Sequence, residues 1–192
     1  MARTHIQRRR RGNSMTEFGP ALWFFLILIL LPLLDMFSFA VGVGTTMMLS
    51  TWGARNAAPC ATYTEALASL ATTETQLACF RGFAQMTPAG PGGKPYTLKV
   101  TVTPLNGGSS TTYTTPGGIP NTPPADPTTP DVPPKNTLNC VYQYVVLAQY
   151  NVSPLFNFSA IPFFNNVPAL GKAVPVQFVT TANVEHPEGL NQ

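Results

Sequence analysis

Charge is scarce in this sequence. Its 192 residues hold 11 Lys and Arg, eight Asp and Glu and two His, so 10% are charged, against roughly 25% in an ordinary soluble domain. Acid–base and metal chemistry draw on these residue types. His5 lies among arginines and His186 beside Pro187. No Ser occupies a nucleophile-elbow pattern. Gly90-Pro91-Gly92-Gly93 follows a helical pattern and contains Pro, which makes it a turn and not a phosphate-binding loop. Asp126 and Asp131 fall in a Pro-rich stretch as solvated acids. Three Cys with only His186 to join them fall short of a four-ligand zinc set. The expectation is a chain that is not an enzyme, with no cofactor, no metal and no small-molecule substrate. The length excludes a multi-span transporter, a repeat array or a large enzyme.

The few charges are also unevenly placed. Residues 1–12 carry Arg3, Arg8, Arg9, Arg10 and Arg11 and no acid. The remaining 180 residues hold six bases against all eight acids, a net of −2. The basic isoelectric point therefore describes a short tail. A nucleic-acid partner needs a basic face on a folded body, and the body has none, so no nucleic acid is expected.

What the chain has instead is a long apolar run. Residues 18–34 read FGPALWFFLILILLPLL with no charge, and no Lys or Arg occurs between Arg11 and Arg55. A stretch of about 20 apolar residues crosses the hydrocarbon core, where its backbone must be helical. The arginine cluster keeps the N-terminus cytoplasmic, which sends the rest to the other side of the membrane. The run is longer than the ~7–15 residues of a cleaved secretory signal, and no small-residue cleavage site follows it closely. Asp35 falls about 26 Å beyond Phe18 along a helix, which places it near the outer interface. Pro32 is expected to kink the helix, and Gly42 and Gly44 form a second soft point. Phe37, Val41, Met48 and Trp52 recur at helical spacing, so the helix is expected to run on to about Ala58, ahead of Pro59.

The junction of leader and run reads Arg-Arg-Arg-Arg-Gly12-Asn13-Ser14-Met15-Thr16-Glu17-Phe18. A basic leader ends in Gly, the fifth residue after it is Glu, and a long apolar helix follows. This arrangement resembles a type IV prepilin signal. The resemblance implies cleavage by a membrane aspartyl peptidase between Gly12 and Asn13, and a role for Glu17 in assembly. Cutting exposes an α-amine at Asn13, which the Glu17 carboxylate of a neighbouring subunit can neutralise at low dielectric. Such a pair sets register more than it adds stability. Asn13 departs from the hydrophobic first residue of major pilins.

Beyond the helix, Thr62-Tyr63-Thr64-Glu65 is a capping box, and Leu67, Leu70, Leu77 and Phe80 fit one face of a second helix over residues 63–86. Residues 96–103 alternate as a strand with Leu98, Val100 and Val102 inward. Residues 104–137 hold nine Pro and four Gly and read as an exposed, poorly ordered loop. Residues 139–152 and 174–184 read as two further strands, the first pairing antiparallel with 96–103. Phe156, Phe158, Phe163 and Phe164 are expected to fill the core. The expected fold class is α+β: a long N-terminal membrane-spanning helix continuing as a stalk, a second helix, and a small antiparallel sheet of about three strands with a Pro-rich loop insertion. The expected organisation is a basic leader at 1–12, a transmembrane and stalk helix at 13–58, and an extracytoplasmic domain at 59–192.

This order, with Trp52-Gly53-Ala54-Arg55-Asn56-Ala57-Ala58 after the helix and Ala182-Asn183-Val184-Glu185 at the end of the last strand, resembles TadE/TadG-like proteins. These are pseudopilins or minor pilins of the tight-adherence (Flp, type IV-like) pilus system. The resemblance implies a structural subunit of the bacterial inner membrane, single-pass, which reaches a pilus or the cell surface after processing. Its expected partners are the membrane, other pilin or pseudopilin subunits and a prepilin peptidase. The alternative is an uncleaved, single-pass anchored periplasmic or surface binding module. In an oxidising compartment Cys60, Cys79 and Cys140 allow one disulfide. If 63–86 is one helix, Cys60 and Cys79 lie about 25–28 Å apart, too far to bridge, so Cys140 is the shared candidate partner.

Overall fold

The computed structural model describes residues 14–105, 107–114, 140–159, 165–187 and 190, with backbone only for 14–17. The leader, Gly12, Asn13, most of the Pro-rich insertion, Phe163 and Phe164 lie outside the described residues.

One long helical rod opens the fold: α1 (Ser14–Phe25), a π-helical stretch (Leu26–Leu30) and α2 (Leu31–Ala57). The rod spans about 66 Å at ~1.5 Å per residue. Pro32 explains the π stretch. It has no N–H, and in α geometry its ring would press on the Leu28 carbonyl. Widening the turn relieves that contact, and the Leu31 N–H reaches back five residues to the Leu26 carbonyl. Beyond it, α2 passes through Gly42 and Gly44 without a break. The rod ends at Ala57, two residues before Pro59.

Helix α3 (Tyr63–Gln76) starts as its capping sequence predicts. Thr62 is extended, and its hydroxyl accepts the Glu65 N–H at 3.2 Å. The Glu65 carboxylate accepts the Ala61 N–H at 3.0 Å. The expected single helix over 63–86 is instead two. The chain breaks at Leu77 (φ −91°, ψ 3°) and resumes as the short α4 (Ala78–Phe83). The β-branched Thr72, Thr73 and Thr75 weaken the end of α3. Each hydroxyl bonds the carbonyl four residues back, a contact that loosens a helix. Gln85, with φ 45°, then turns the chain out of α4, so Met86 begins a strand.

Among the described residues the sheet has five strands, more than the three expected: β1 (Met86–Pro88), β2 (Tyr96–Pro104), β3 (Thr111–Tyr113), β4 (Cys140–Val152) and β5 (Val174–Asn183). All pairings are antiparallel. The 13-residue β4 is the centre. On one edge it carries β2 (Tyr96↔Ala148) and, beyond it, β1 (Met86↔Val152); on the other it carries β5 (Val152↔Val174). The two unexpected strands have three residues each, too few to show alternation. β3 lies inside the stretch whose composition reads as loop, where it pairs antiparallel with β2 and adds a Thr101–Thr112 hydroxyl contact of 3.1 Å.

Alternation then decides the core. Tyr142, Tyr144, Val146, Ala148, Tyr150 and Val152 of β4 point inward with Leu98, Val100 and Val102 of β2. They meet Leu49, Ala54 and Ala57 of α2 and Ala66 and Leu70 of α3. Tyr63 ties α3 to the sheet by donating to the Leu98 carbonyl at 2.8 Å. The sheet curls round α2, and Thr180 of β5 donates to the Ser50 hydroxyl at 3.1 Å. The rod is therefore the stalk of the domain and also its central core element.

Candidate membrane and assembly surface

The rod has two regimes. Over residues 18–34 its large apolar side chains are exposed at nearly every position, from Phe18 (66%) and Trp23 (63%) to Leu33 (60%). Consecutive residues cover all azimuths of a helix, and none of residues 18–31 is buried. From Pro32 onward burial becomes periodic: Pro32, Asp35, Ser38, Gly42, Thr45, Thr46, Leu49, Ser50, Gly53, Ala54 and Ala57 are buried. That spacing marks one helical face.

Leu49 apart, the buried face is made mostly of small or polar residues, and several large apolar side chains are left out. Phe37 (59%), Met48 (43%) and Trp52 (44%), whose spacing marks the helix in the sequence, lie on the exposed side. Close approach explains the inversion. A Cβ on Gly42 would stand 2.8 Å and 3.0 Å from the two γ-carbons of Val152, and one on Gly53 would stand 2.4 Å from Leu70 Cδ2. The buried hydroxyls are satisfied locally: Thr45 donates to the Val41 carbonyl and Thr46 to the Gly42 carbonyl, both at 2.8 Å. Small residues thus let the sheet reach the helix backbone, as they do between helices in membranes.

On the exposed side, Val41, Gly44, Thr45, Met48 and Phe80 line an apolar groove of about 210 Å³ between α2 and α4. Phe83 of α4 packs edge-on against Phe37 with ring centroids 6.0 Å apart. At the foot of the domain the Asp35 carboxylate accepts the Phe156 N–H at 2.9 Å. Asp35 is thus buried under the loop after β4. Its second oxygen and the Ser38 hydroxyl have no hydrogen-bond partner among the described residues. Of the aromatics expected in the core, Phe158 is buried and Phe156 is 39% exposed.

Glu17 lies in the first turn of α1, about 60 Å along the rod from Ala57. Gly12 and Asn13 lie outside the described residues. The three cysteines are joined by no disulfide. Cys140 is buried at the start of β4, twelve residues or about 40 Å from Val152. The Val152 end is the one that meets Gly42 and Ala84, next to α4. Cys79, exposed on α4, is therefore at the opposite end of the sheet from Cys140 and is excluded as its partner by distance. Cys60 follows the end of α2 and packs against the core that contains Cys140, but its thiol donates to the Asn56 carbonyl at 3.3 Å. Burial, with the Glu65 carboxylate second, pushes the Cys60 thiol above its usual range. Alkylation of the folded protein by a maleimide is accordingly expected first at Cys79, much more slowly at Cys60, and at Cys140 only after unfolding. Equal rates at Cys79 and Cys140, read by peptide mass spectrometry, would contradict this placement.

Among the described residues no three His, Cys, Asp or Glu side chains gather as metal ligands. A shallow cleft at the far end of the sheet is lined by Tyr142, Asn183, Val184 and Glu185. The Tyr142 hydroxyl is buried without a hydrogen-bond partner among the described residues, and burial pushes its pKa up to about 12. Comparison with protein-family models, curated proteins and solved structures finds no match. The exposed apolar rod is the feature of the fold that asks for a partner. The sequence marks the rod, but its large side chains do not mark the face that the domain covers. The signal was the small-residue spacing Ser38, Gly42, Thr46, Ser50 and Gly53.

Proposed function

We propose that the chain is a pseudopilin or minor-pilin-like structural subunit. It is inserted with its arginine leader in the cytoplasm of a bacterial cell and cut between Gly12 and Asn13. It is then assembled through its apolar rod into a pilus or pilus-base complex that serves surface attachment or secretion. The observation that carries this reading is the inverted rod. An isolated soluble domain hides its Phe, Met and Trp side chains and shows its Ser and Thr, because burying apolar surface is the dominant favourable term in folding. Here α2 does the reverse over a length that continues straight out of an all-round apolar span. Lipid satisfies the lower part of such a rod. The upper part, from Met36 to Trp52, is satisfied by the equivalent rods of neighbouring subunits.

In this reading the acid of the leader junction has a defined task. Cleavage leaves an ammonium at Asn13 four residues from Glu17, at the end of the rod that sits in low dielectric. Neither charge is tolerable there alone, so the Glu17 of one subunit pairs with the Asn13 amine of the next and fixes the axial register. Glu17→Ala is expected to leave membrane insertion unchanged and to abolish recovery of the assembled complex, with Glu17→Gln nearly as severe. Normal assembly of both variants would remove the pairing role and leave Glu17 as a headgroup-level acid near a helix N-terminus.

A further inference from the structure

The foot of the folded domain lies where the exposed span stops. Residues 14–34 make a helix of about 31 Å, the thickness of a bilayer's hydrocarbon core. Burial sets in at this level, first at Pro32 and then at Asp35. The loop after β4 reaches down to that level, because the Phe156 N–H is held by the Asp35 carboxylate. Helix α4 reaches almost as low, because Phe83 packs on Phe37, two residues or about 3 Å further along the rod. Three aromatic side chains thus share one level at the end of the span, and none is covered: Phe37 is 59% exposed, Phe83 44% and Phe156 39%. They come from three separate elements. Phe156 also lies against the buried Phe158, with ring centroids 6.4 Å apart, so it is braced by the core.

We propose that the rim formed by Phe37, Phe83 and Phe156 is seated in the boundary between headgroups and acyl chains of the leaflet that the rod leaves. This rests on the membrane reading given above and adds to it that the domain itself touches lipid. The occupant is lipid and not protein because the rim is continuous with the span and ends where the span's length places the interface. The groove higher up, at Val41 to Met48, stands beyond that level. Apolar side chains on a surface at the interface partition into it, and the rim residues carry no charge, so the contact does not require anionic lipid. The seat holds the domain upright on the membrane before assembly and is lost when a subunit is drawn out of the bilayer.

Depth-resolved fluorescence quenching tests this with the full chain reconstituted in phosphatidylcholine vesicles. Three single-Trp proteins carry the measurement, and each replaces the unused native Trp by Phe. One retains Trp23, in the span. The other two lack both native Trp and carry Phe156→Trp or Phe83→Trp. A fourth carries Val179→Trp, at an exposed site on β5, as the aqueous control. The seat predicts that lipid brominated near its carbonyl quenches the reporters at 156 and 83 several-fold, while the reporter at 179 is untouched and stays open to acrylamide. Quenching at Trp23 with none at 156 and 83 leaves the span standing and overturns the seat. That holds whether those reporters are open to acrylamide or shielded from it, since shielding without lipid quenching means a protein covers the rim. Absence of quenching at Trp23 as well overturns the membrane reading itself.

Discussion

Gly42→Leu is expected to unfold the domain from its stalk, with a loss of about 3 kcal/mol or more. The position has no room. A bare Cβ there already meets both methyl groups of Val152 at 2.8 Å and 3.0 Å, with the Ala84 methyl at 3.5 Å. Val152 cannot yield, since it is 1% exposed and a β-branched side chain has little rotamer freedom. The only relief is to lift α2 from the sheet, which exposes the core between Leu49 and Val146. Gly44, two residues on, supplies the control. Nothing lies within 4 Å of a Cβ at that site, and an interior helical Gly costs about 0.5–1 kcal/mol relative to Ala. Gly44→Ala is therefore expected to raise the stability of the isolated subunit. Thermal unfolding in detergent, followed by near-UV circular dichroism, reads both. An equal loss of stability in Gly42→Leu and Gly44→Ala would mean that the helix does not lie on the sheet as described.

The second large effect concerns the span. Residues 18–34 include twelve Leu, Ile or Phe side chains, each worth roughly −0.3 to −0.6 kcal/mol on an insertion scale, about −4 to −7 kcal/mol together. An Arg near the helix centre costs roughly 2.5–3.5 kcal/mol on the same scale. Leu26→Arg combined with Leu30→Arg therefore cancels the insertion free energy, whereas either alone does not. Leu26 and Leu30 bound the π stretch, none of whose residues is buried, so the folded domain is expected to survive. Carbonate extraction of membranes should release the double variant and retain the single ones. Retention of the double variant would show that something other than this helix holds the protein to the membrane.

The parts of the fold with strong periodicity were legible in the sequence. The rod, the capping box at Thr62 and strands β2, β4 and β5 follow from spacing and side-chain type, because each is long enough to display its period. Helix α4 was not separable from α3, since the break at Leu77 is made by tertiary packing and by three threonines whose hydroxyls bond backward, not by Gly or Pro. Strands β1 and β3 have three residues and display no period. The orientation of α2 was the least legible feature. Phe37, Met48 and Trp52 advertise a face, but hydrophobicity does not say what covers it. Only the close approach of Val152 to Gly42 and of Leu70 to Gly53 shows that the domain took the opposite face. The separation of Cys140 from Cys79 was not legible, because it depends on which end of β4 lies against α4.

The account stands on the chain's being trimmed and then polymerised by its rod, and the N-terminus of the protein from its own cells decides that most directly. Peptide mass spectrometry of the assembled fraction should find chains beginning at Asn13, with residues 1–12 absent. An intact arginine leader on all recovered protein, in cells whose prepilin peptidase is active, would contradict the account and leave a tethered domain in its place.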